Sequence, residues 1–440
     1  VARAHQGAQE YFKGPMAPLV LFLVLLLAYS ALSGVFARTV VTGPILFTLT
    51  GFVATLVVPE LHDPSKHFDT YLTLAEAGLV MLLFTDASRT RLSTLLGMTS
   101  LPTRLLTVGM LLTLGLGLVA ALVVFRGISV WEAGILAAVL APTDAGLGQI
   151  IVTSEKAPLR VRQALNVEAG LNDGLSVPFL LFFVGAALAH GEGGGTLASG
   201  GNAESHGGGL GQFIVEQLGY GALIGGAIGL VGGLALGLAK RRGWMVSPFE
   251  QLAIVALAIL CMVSSDLAHA SMFIAAFVAG LAVQIGFRDA GDHAVEFAED
   301  WGQFFNLGIF FLFGIVVARN VSSIGVEHVM YAIVSLTVVR MLPVALALLG
   351  TRLSASTVLF MGWFGPRGLA SIVLTLVYME EAGGLPGDET IRVAAIATVF
   401  LSILAHGLSA LPGLAWYAKR VERLPSDAPE FAGKGSEAAG

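Results

Sequence analysis

The chain has 440 residues, of which 55% are hydrophobic and only 12% charged, with a formal net charge of −6. Soluble proteins carry roughly twice that charged fraction, so a soluble enzyme or a nucleic-acid-binding module is excluded and a polytopic membrane protein embedded in a lipid bilayer is expected. The single Cys261 permits no intramolecular disulfide, and compartment cannot be read from redox chemistry.

Apolar runs of about 17–25 residues can cross a bilayer, and about thirteen occur in chain order. They lie near 18–36, 42–58, 70–87, 104–125, 131–152, 162–189, 213–239, 249–265, 269–287, 300–318, 327–350, 354–378 and 391–416. The first is too long for a signal-peptide core and lacks a clear cleavage site, so it reads as a membrane helix. Lys and Arg in the connections divide about fifteen to six between alternating sides. The basic side faces the cytoplasm, which puts the N-terminus outside, the C-terminus inside, and the protein in the plasma (inner) membrane with an odd number of spans. The loop from His190 to Gly211 is Gly, Ser, His and Asn without Lys or Arg and is expected to be a flexible tether. His190 and His206 there admit a metal, but a low-complexity insertion is the simpler reading. The polar tail after Val421 is expected to be disordered.

Charge inside a membrane helix is costly and marks function by default, so the polar residues in these runs are the informative ones. The third span carries Glu76, facing a cavity mouth or the interface, with Asp86 nearer its inner end. The fifth contains Pro142, Thr143, Asp144, Ala145, Gly146 and Gly148, a combination that breaks a helix near mid-span. The sixth holds Asn166, Glu168, Asn172 and Asp173. At about 100° per residue, Asn172 returns to the face of Glu168, while Asp173 points roughly 140° away. Asp173 is therefore the candidate transport carboxylate. Glu168 is the natural partner of Arg340 in the eleventh span, a structural ion pair.

In the seventh span Gly221, Gly225, Gly229, Gly233 and Gly237 recur every four residues, a ridge for close packing within the chain or across a dimer. The twelfth span has Gly365, Pro366, Arg367 and Gly368. Two Gly/Pro-interrupted spans in corresponding positions of two three-helix units point to an inverted-repeat transporter. Broken helices leave half-charges at mid-membrane, for which Asp144 and Arg367 are candidate compensators. Asp144 and Thr143 are also candidate ligands of a monovalent cation. His406 in the last span either tunes a pH response or is a satisfied core histidine.

Glu168-Ala169-Gly170-Leu171-Asn172-Asp173 resembles the signature of the cation/proton antiporter-1 family, the NhaP-type sodium/proton exchangers and their eukaryotic relatives. Thr143-Asp144 resembles that family's Thr-Asp-Pro element, Gly365-Pro366-Arg367-Gly368 its Gly-Leu-Arg-Gly element, and Arg340 the arginine that pairs with the glutamate. Ala145, Pro366 and Ala169 depart from the family's usual Pro, Leu and Ser. The resemblance covers nearly the whole chain. It implies an all-α inverted-repeat antiporter fold, and a homodimer in which a core domain moves like an elevator against a dimerisation domain. Core repeats then fall at 104–189 and 327–420, interface parts at 1–103 and 213–326, with an external loop at 190–212 and a tail at 421–440.

The expected activity is exchange of a monovalent cation for protons, with no cofactor. The cation is Na⁺ first, with K⁺ and Li⁺ open. Asp173 and Asp144 hold it, helped by Thr143, Asn172 and Glu76, while Glu168, Arg340 and Arg367 are structural. One titrating aspartate beside a neutral Asn172 makes electroneutral exchange the simplest case. A cation channel and an intramembrane protease are the rivals; nothing resembles a carbonyl selectivity filter, and no His-Glu-x-x-His or Gly-x-Gly-Asp element is present.

Overall fold

The computed structural model describes residues 17–36, 39–57, 68–89, 101–144, 146–190, 215–287, 294–382, 384–425 and 427–431. Ala145, most of the loop read as a tether and His206 lie outside the described residues. Every regular element among the described residues is helical. In chain order these are α1 Ala17–Phe36, α2 Gly43–Val57 and α3 Phe68–Arg89. Then come α4 Leu101–Val124, α5 Val130–Val139, α6 Gln149–Thr153 and α7 Leu159–Ala189. Next are α8 Gly221–Arg241, α9 Ser247–Leu267, α10 Met272–Gly286 and α11 Ala294–Asn320. The last are α12 Val326–Ala347, α13 Ala355–Trp363, α14 Leu369–Ala382 and α15 Asp388–Val421.

Eight helices among the described residues are long and apolar enough to cross a membrane by length and composition, and four shorter apolar helices accompany them. Two of the short ones, Val130–Val139 and Leu369–Met379, have a cause. The fifth and twelfth apolar runs are each split, into α5 and α6 and into α13 and α14.

Two clusters of helices result. In one, α8 lies along α10, α10 packs on α3, and α11 packs on α2 and α3. In the other, α5 packs on α4 and α7, and α12 on α15. Helices α3, α10 and α11 meet α7, α14 and α15 along the seam. The glycine ridge of α8 is spent inside the chain. A Cβ at Gly225, Gly229, Gly233 or Gly237 would run into the backbone of α10 at Ala275, Ala279, Val283 and Gly286 in turn. Without a hydrophobic drive between helices in lipid, such backbone proximity is a main source of attraction.

Local polar chemistry fixes the helix ends. Ser129 caps α5 and forms a reciprocal capping box with Glu132. The other oxygen of Glu132 accepts the Gly387 N–H at 2.6 Å, tying the start of α5 to the start of α15.

The tail departs from expectation. After α15 the chain turns back, and Pro429–Phe431 forms a 3₁₀ turn with Glu430 buried. Oε1 of Glu430 accepts hydrogen bonds from the Ser354 N–H and the Thr357 hydroxyl, both at 2.8 Å. Arg160 donates to the Pro429 carbonyl at 2.5 Å. The expected disorder fails here because one acidic side chain finds the Ser354 N–H and the Thr357 hydroxyl at the start of α13, an N-terminal site that favours negative charge.

Burial opposes the ionised form of Glu430, but the Ser354 N–H and the Thr357 hydroxyl outweigh it and hold the carboxyl below its ordinary range. A depressed carboxyl contributes stability that is complete above its unfolded value and is lost as pH falls through the folded one. The docked tail is therefore expected to stay closed at neutral pH and to open only in acid. Glu430→Gln should open it at every pH. Limited proteolysis of residues 422–431 across a pH series checks this; equal protection of wild type and variant at neutral pH would contradict it.

Candidate functional site

The two helix breaks cross at one point. Between α5 and α6, and between α13 and α14, the chain leaves helical geometry, and the Asp144 N–H donates to the Pro366 carbonyl at 2.8 Å. The side chains then serve the exposed helix ends. Oδ2 of Asp144 accepts the Leu369 N–H at 2.7 Å, at the start of α14, while Oδ1 accepts the Gly146 N–H at 2.6 Å and the Leu147 N–H at 3.3 Å. Arg367 is fully buried, and its Nη1 donates to the carbonyls of Ala141 and Pro142 at 2.8 and 2.9 Å, just past the end of α5. Carboxylate at the helix start and guanidinium at the helix end offset the half-charges that each break exposes. The backbone N–H of Arg367 is in turn held by the Ser402 hydroxyl at 2.7 Å.

The glycines around Arg367 make room. A Cβ at Gly368 would overlap the Asp144 carboxylate, and one at Gly365 would overlap the Arg340 guanidinium. The four-residue motif thus supplies a carbonyl, a cation and two vacated positions for charged neighbours.

Arg340 follows a π-helical turn at Ser335–Val339 in α12, a local widening common at functional sites. It makes a two-pronged pair with Glu168, Nη1 to Oε1 at 2.5 Å and Nη2 to Oε2 at 3.0 Å, and both residues are buried. One turn further along α7, Asn172 donates through Nδ2 to the Thr143 hydroxyl at 2.7 Å, joining α7 to the broken segment. Asp173 is buried, and its Oδ1 has no donor among the described residues; neither has Oδ1 of Asn172. Buried polar atoms are nearly always satisfied, so unserved oxygens beside the Thr143–Asp144 break are the chemical signature of a site for a proton or a hard cation.

The structure thus brings Thr143, Asp144, Glu168, Asn172, Arg340 and Arg367 together, with Asp173 next to Asn172 on α7. Glu76 stands apart. It is buried in α3 ten residues before Asp86, which is about 15 Å along a helix, and Asp86 packs against α7. A Cβ at Gly170 would lie 3.3 Å from that of Asp86. Beside Glu76, Ala75 borders a cavity of ≈ 360 Å³ between α3, α11, α14 and α15, lined mostly by hydrocarbon with Arg319, Asn320 and Arg392 at one end. That cavity includes none of the ion-site residues. His406 is satisfied: Nδ1 meets Ser402, and Nε2 meets the Trp363 carbonyl at 2.9 Å.

Three residues near the break or packed on α7 were given no site role in the sequence reading. Ser402 is a small hydroxyl with no motif. Asp86 was visible as an acid in an apolar span, but its neighbour was not. Asn306 was visible as a lone carboxamide just before the apolar run Leu307–Val317.

The chain as a whole matches a known family at the level of sequence. The profile described as "Sodium/hydrogen exchanger, transmembrane" matches residues 20–416. The chain belongs to that family. The exchanger chain is 24% identical over 357 residues to the K(+)/H(+) antiporter NhaP of Alkalimonas amylolytica, covering 80% of this chain and 58% of that protein. It therefore spans little more than half the length of that curated relative. Two structures of the sodium proton antiporter MjNhaP1 from Methanocaldococcus jannaschii share its fold, each at 19% identity. The structure at pH 8 gives a TM-score of 0.65 over 89% of this chain and 99% of that one. The other, an electron-microscopy structure, gives 0.67 over 93% and 98%.

Proposed function

We propose that this exchanger-family chain is a secondary antiporter that trades one monovalent cation for one proton at Asp173. The observation that carries the reading is the buried Asp173 carboxylate with an oxygen that no donor serves, beside the Thr143–Asp144 break. A buried carboxylate in that setting is stabilised by a proton or by a cation, and occupancy by one removes the attraction for the other. Asn172 presents a neutral oxygen to the ion, and Thr143 orients its amide. Of the three acids on α7 and at the break, Glu168 is already neutralised by Arg340 and Asp144 is committed to three backbone N–H groups, which leaves Asp173 to titrate. Exchange is then one-for-one and electroneutral.

The moving part in this reading is a core of residues 104–189 and 327–420, which carries Asp173 across the membrane against the helices of 1–103 and 213–326. The latter also supply a homodimer interface. The basic connections put the N-terminus outside and the C-terminus in the cytoplasm of the plasma membrane. The relatives are named for K⁺ in one case and Na⁺ in the other, so both ions belong in the test, with Li⁺ beside them.

Purified protein in liposomes, loaded with a pH dye and given a preset proton gradient, should show dye recovery when its cation is added. Recovery should persist with the membrane potential clamped. Cation movement without proton counterflow would make the protein a channel, and no response to Na⁺, K⁺ or Li⁺ across a wide pH range would overturn the reading.

A further inference from the structure

Helix α11 belongs to the cluster that does not carry Asp173, yet one of its side chains reaches the broken segment. A Cβ built on Gly146 would lie 2.7 Å from Nδ2 of Asn306 and 3.0 Å from Oδ1 of Asp144. The carboxamide of one helix cluster and the carboxylate of the other therefore close on the same point of the backbone. Only a glycine at position 146 leaves space for both.

The other end of that carboxamide is unused. Oδ1 of Asn306 is buried and has no hydrogen-bond donor among the described residues. Two carboxamide oxygens are in this condition, those of Asn172 and Asn306, and both belong to side chains that touch the Thr143–Gly146 stretch. An orphaned buried carbonyl is costly unless something else uses it.

Position along α11 adds a second observation. Gln303, one turn earlier, is exposed, whereas Ile309, Phe310 and Phe311 are buried. Asn306 is half-buried, between the exposed Gln303 and the buried Ile309–Phe311. A cation bound at such a point gives up water, and neutral carbonyl oxygens are the ligands that replace a hydration shell.

We propose that Asn306 is a ligand of the transported cation, contributed by α11, and that its carboxamide oxygen sets apparent affinity and cation preference. The assignment rests on the antiport reading. Because α11 does not travel with Asp173 in that reading, the ligand is present in the conformation seen here and is withdrawn when the core moves. The ion is thus held by an extra oxygen on one side of the membrane only. Being neutral, Asn306 leaves the one-for-one charge balance of the exchange intact.

The test separates an oxygen ligand from a packing contact. Asn306→Leu keeps the shape and removes the oxygen; Asn306→Gln keeps a neutral carboxamide oxygen. In the liposome assay Asn306→Leu should raise the apparent KM for the cation about tenfold, the worth of one lost polar contact, with Vmax within about twofold of wild type. Asn306→Gln should give a KM below that of Asn306→Leu. An unchanged KM in Asn306→Leu, or a fall in Vmax alone, would make Asn306 a packing contact and overturn the proposal.

Should Asn306→Leu not be recovered folded, Asn306→Ser, whose hydroxyl is too short to reach the same point, gives the same reading. Cation-dependent thermal stabilisation in detergent supplies a readout independent of transport. Wild type should be stabilised by its cation, and Asn306→Leu should need about ten times more of it. If wild type binds the cation and Asn306→Leu needs about ten times more of it, but neither moves protons, the antiport reading fails while the ligand assignment stands. If exchange is normal and the two titrations coincide, only the Asn306 assignment falls.

Discussion

Asp173→Asn is expected to reduce cation-driven proton movement to the rate of protein-free liposomes while the protein still folds and inserts. The substitution keeps the shape and polarity of the side chain and removes the one property the exchange needs, a site that is either protonated or negatively charged. Folding should not suffer. Asp173 sits at 4% exposure with an oxygen that no donor serves, and removing a buried charge that lacks a partner relieves a desolvation penalty. The thermal midpoint in detergent should therefore match or exceed that of wild type. The cation should no longer raise it, because the carboxylate that attracts the ion is gone. Robust exchange in Asp173→Asn would mean that another carboxylate carries the proton. Asp144 would be next in line, although the N–H groups of Gly146, Leu147 and Leu369 already claim its oxygens.

This assignment was legible because charge in an apolar run is rare. Glu168 and Asp173 stand out in the sequence, and helix geometry separates their faces before any coordinates exist. The breaks were legible for a similar reason, since Pro142, Gly146 and Gly148 cannot continue a helix comfortably. Partnership was harder. The sequence offered both an intramolecular and a dimeric use for the glycines of α8, and the answer lay in a second stripe, Ala275, Ala279, Val283 and Gly286, whose spacing matches the ridge. Asn306 was visible as a lone polar residue, but nothing local says that it will face Gly146 across a seam between helix clusters. Glu76 and Asp86 are both acids of the same apolar run, and the sequence alone does not say that Asp86 is the one packed against Gly170 of α7. Glu430 had no apolar context at all. Its burial depends on where α13 begins, a fact of three dimensions.

Breaking the Glu168–Arg340 pair should have the largest effect on stability. Both side chains are nearly inaccessible, at 3% and 4% exposure, and the pair has two prongs. Arg367, a second buried guanidinium, lies close enough to raise the local positive charge. Glu168→Ala leaves Arg340 with an uncompensated buried charge and should cost about 3–5 kcal/mol. Arg340→Ala should cost a similar amount by stranding the carboxylate. Replacing both, as Glu168→Leu with Arg340→Leu, should recover much of the loss, because a buried ion pair is held at a desolvation cost that an apolar pair avoids. The order of thermal midpoints should therefore be wild type and the double variant above either single one. Exchange would separate the roles further. If Glu168 serves only to neutralise Arg340, the double variant, once folded, should retain cation-coupled proton movement with an unchanged one-for-one balance. A double variant that is as stable as wild type but inert would instead place Glu168 in the ion path. Single variants as stable as wild type would mean that water or lipid headgroups reach the pair, which its burial argues against.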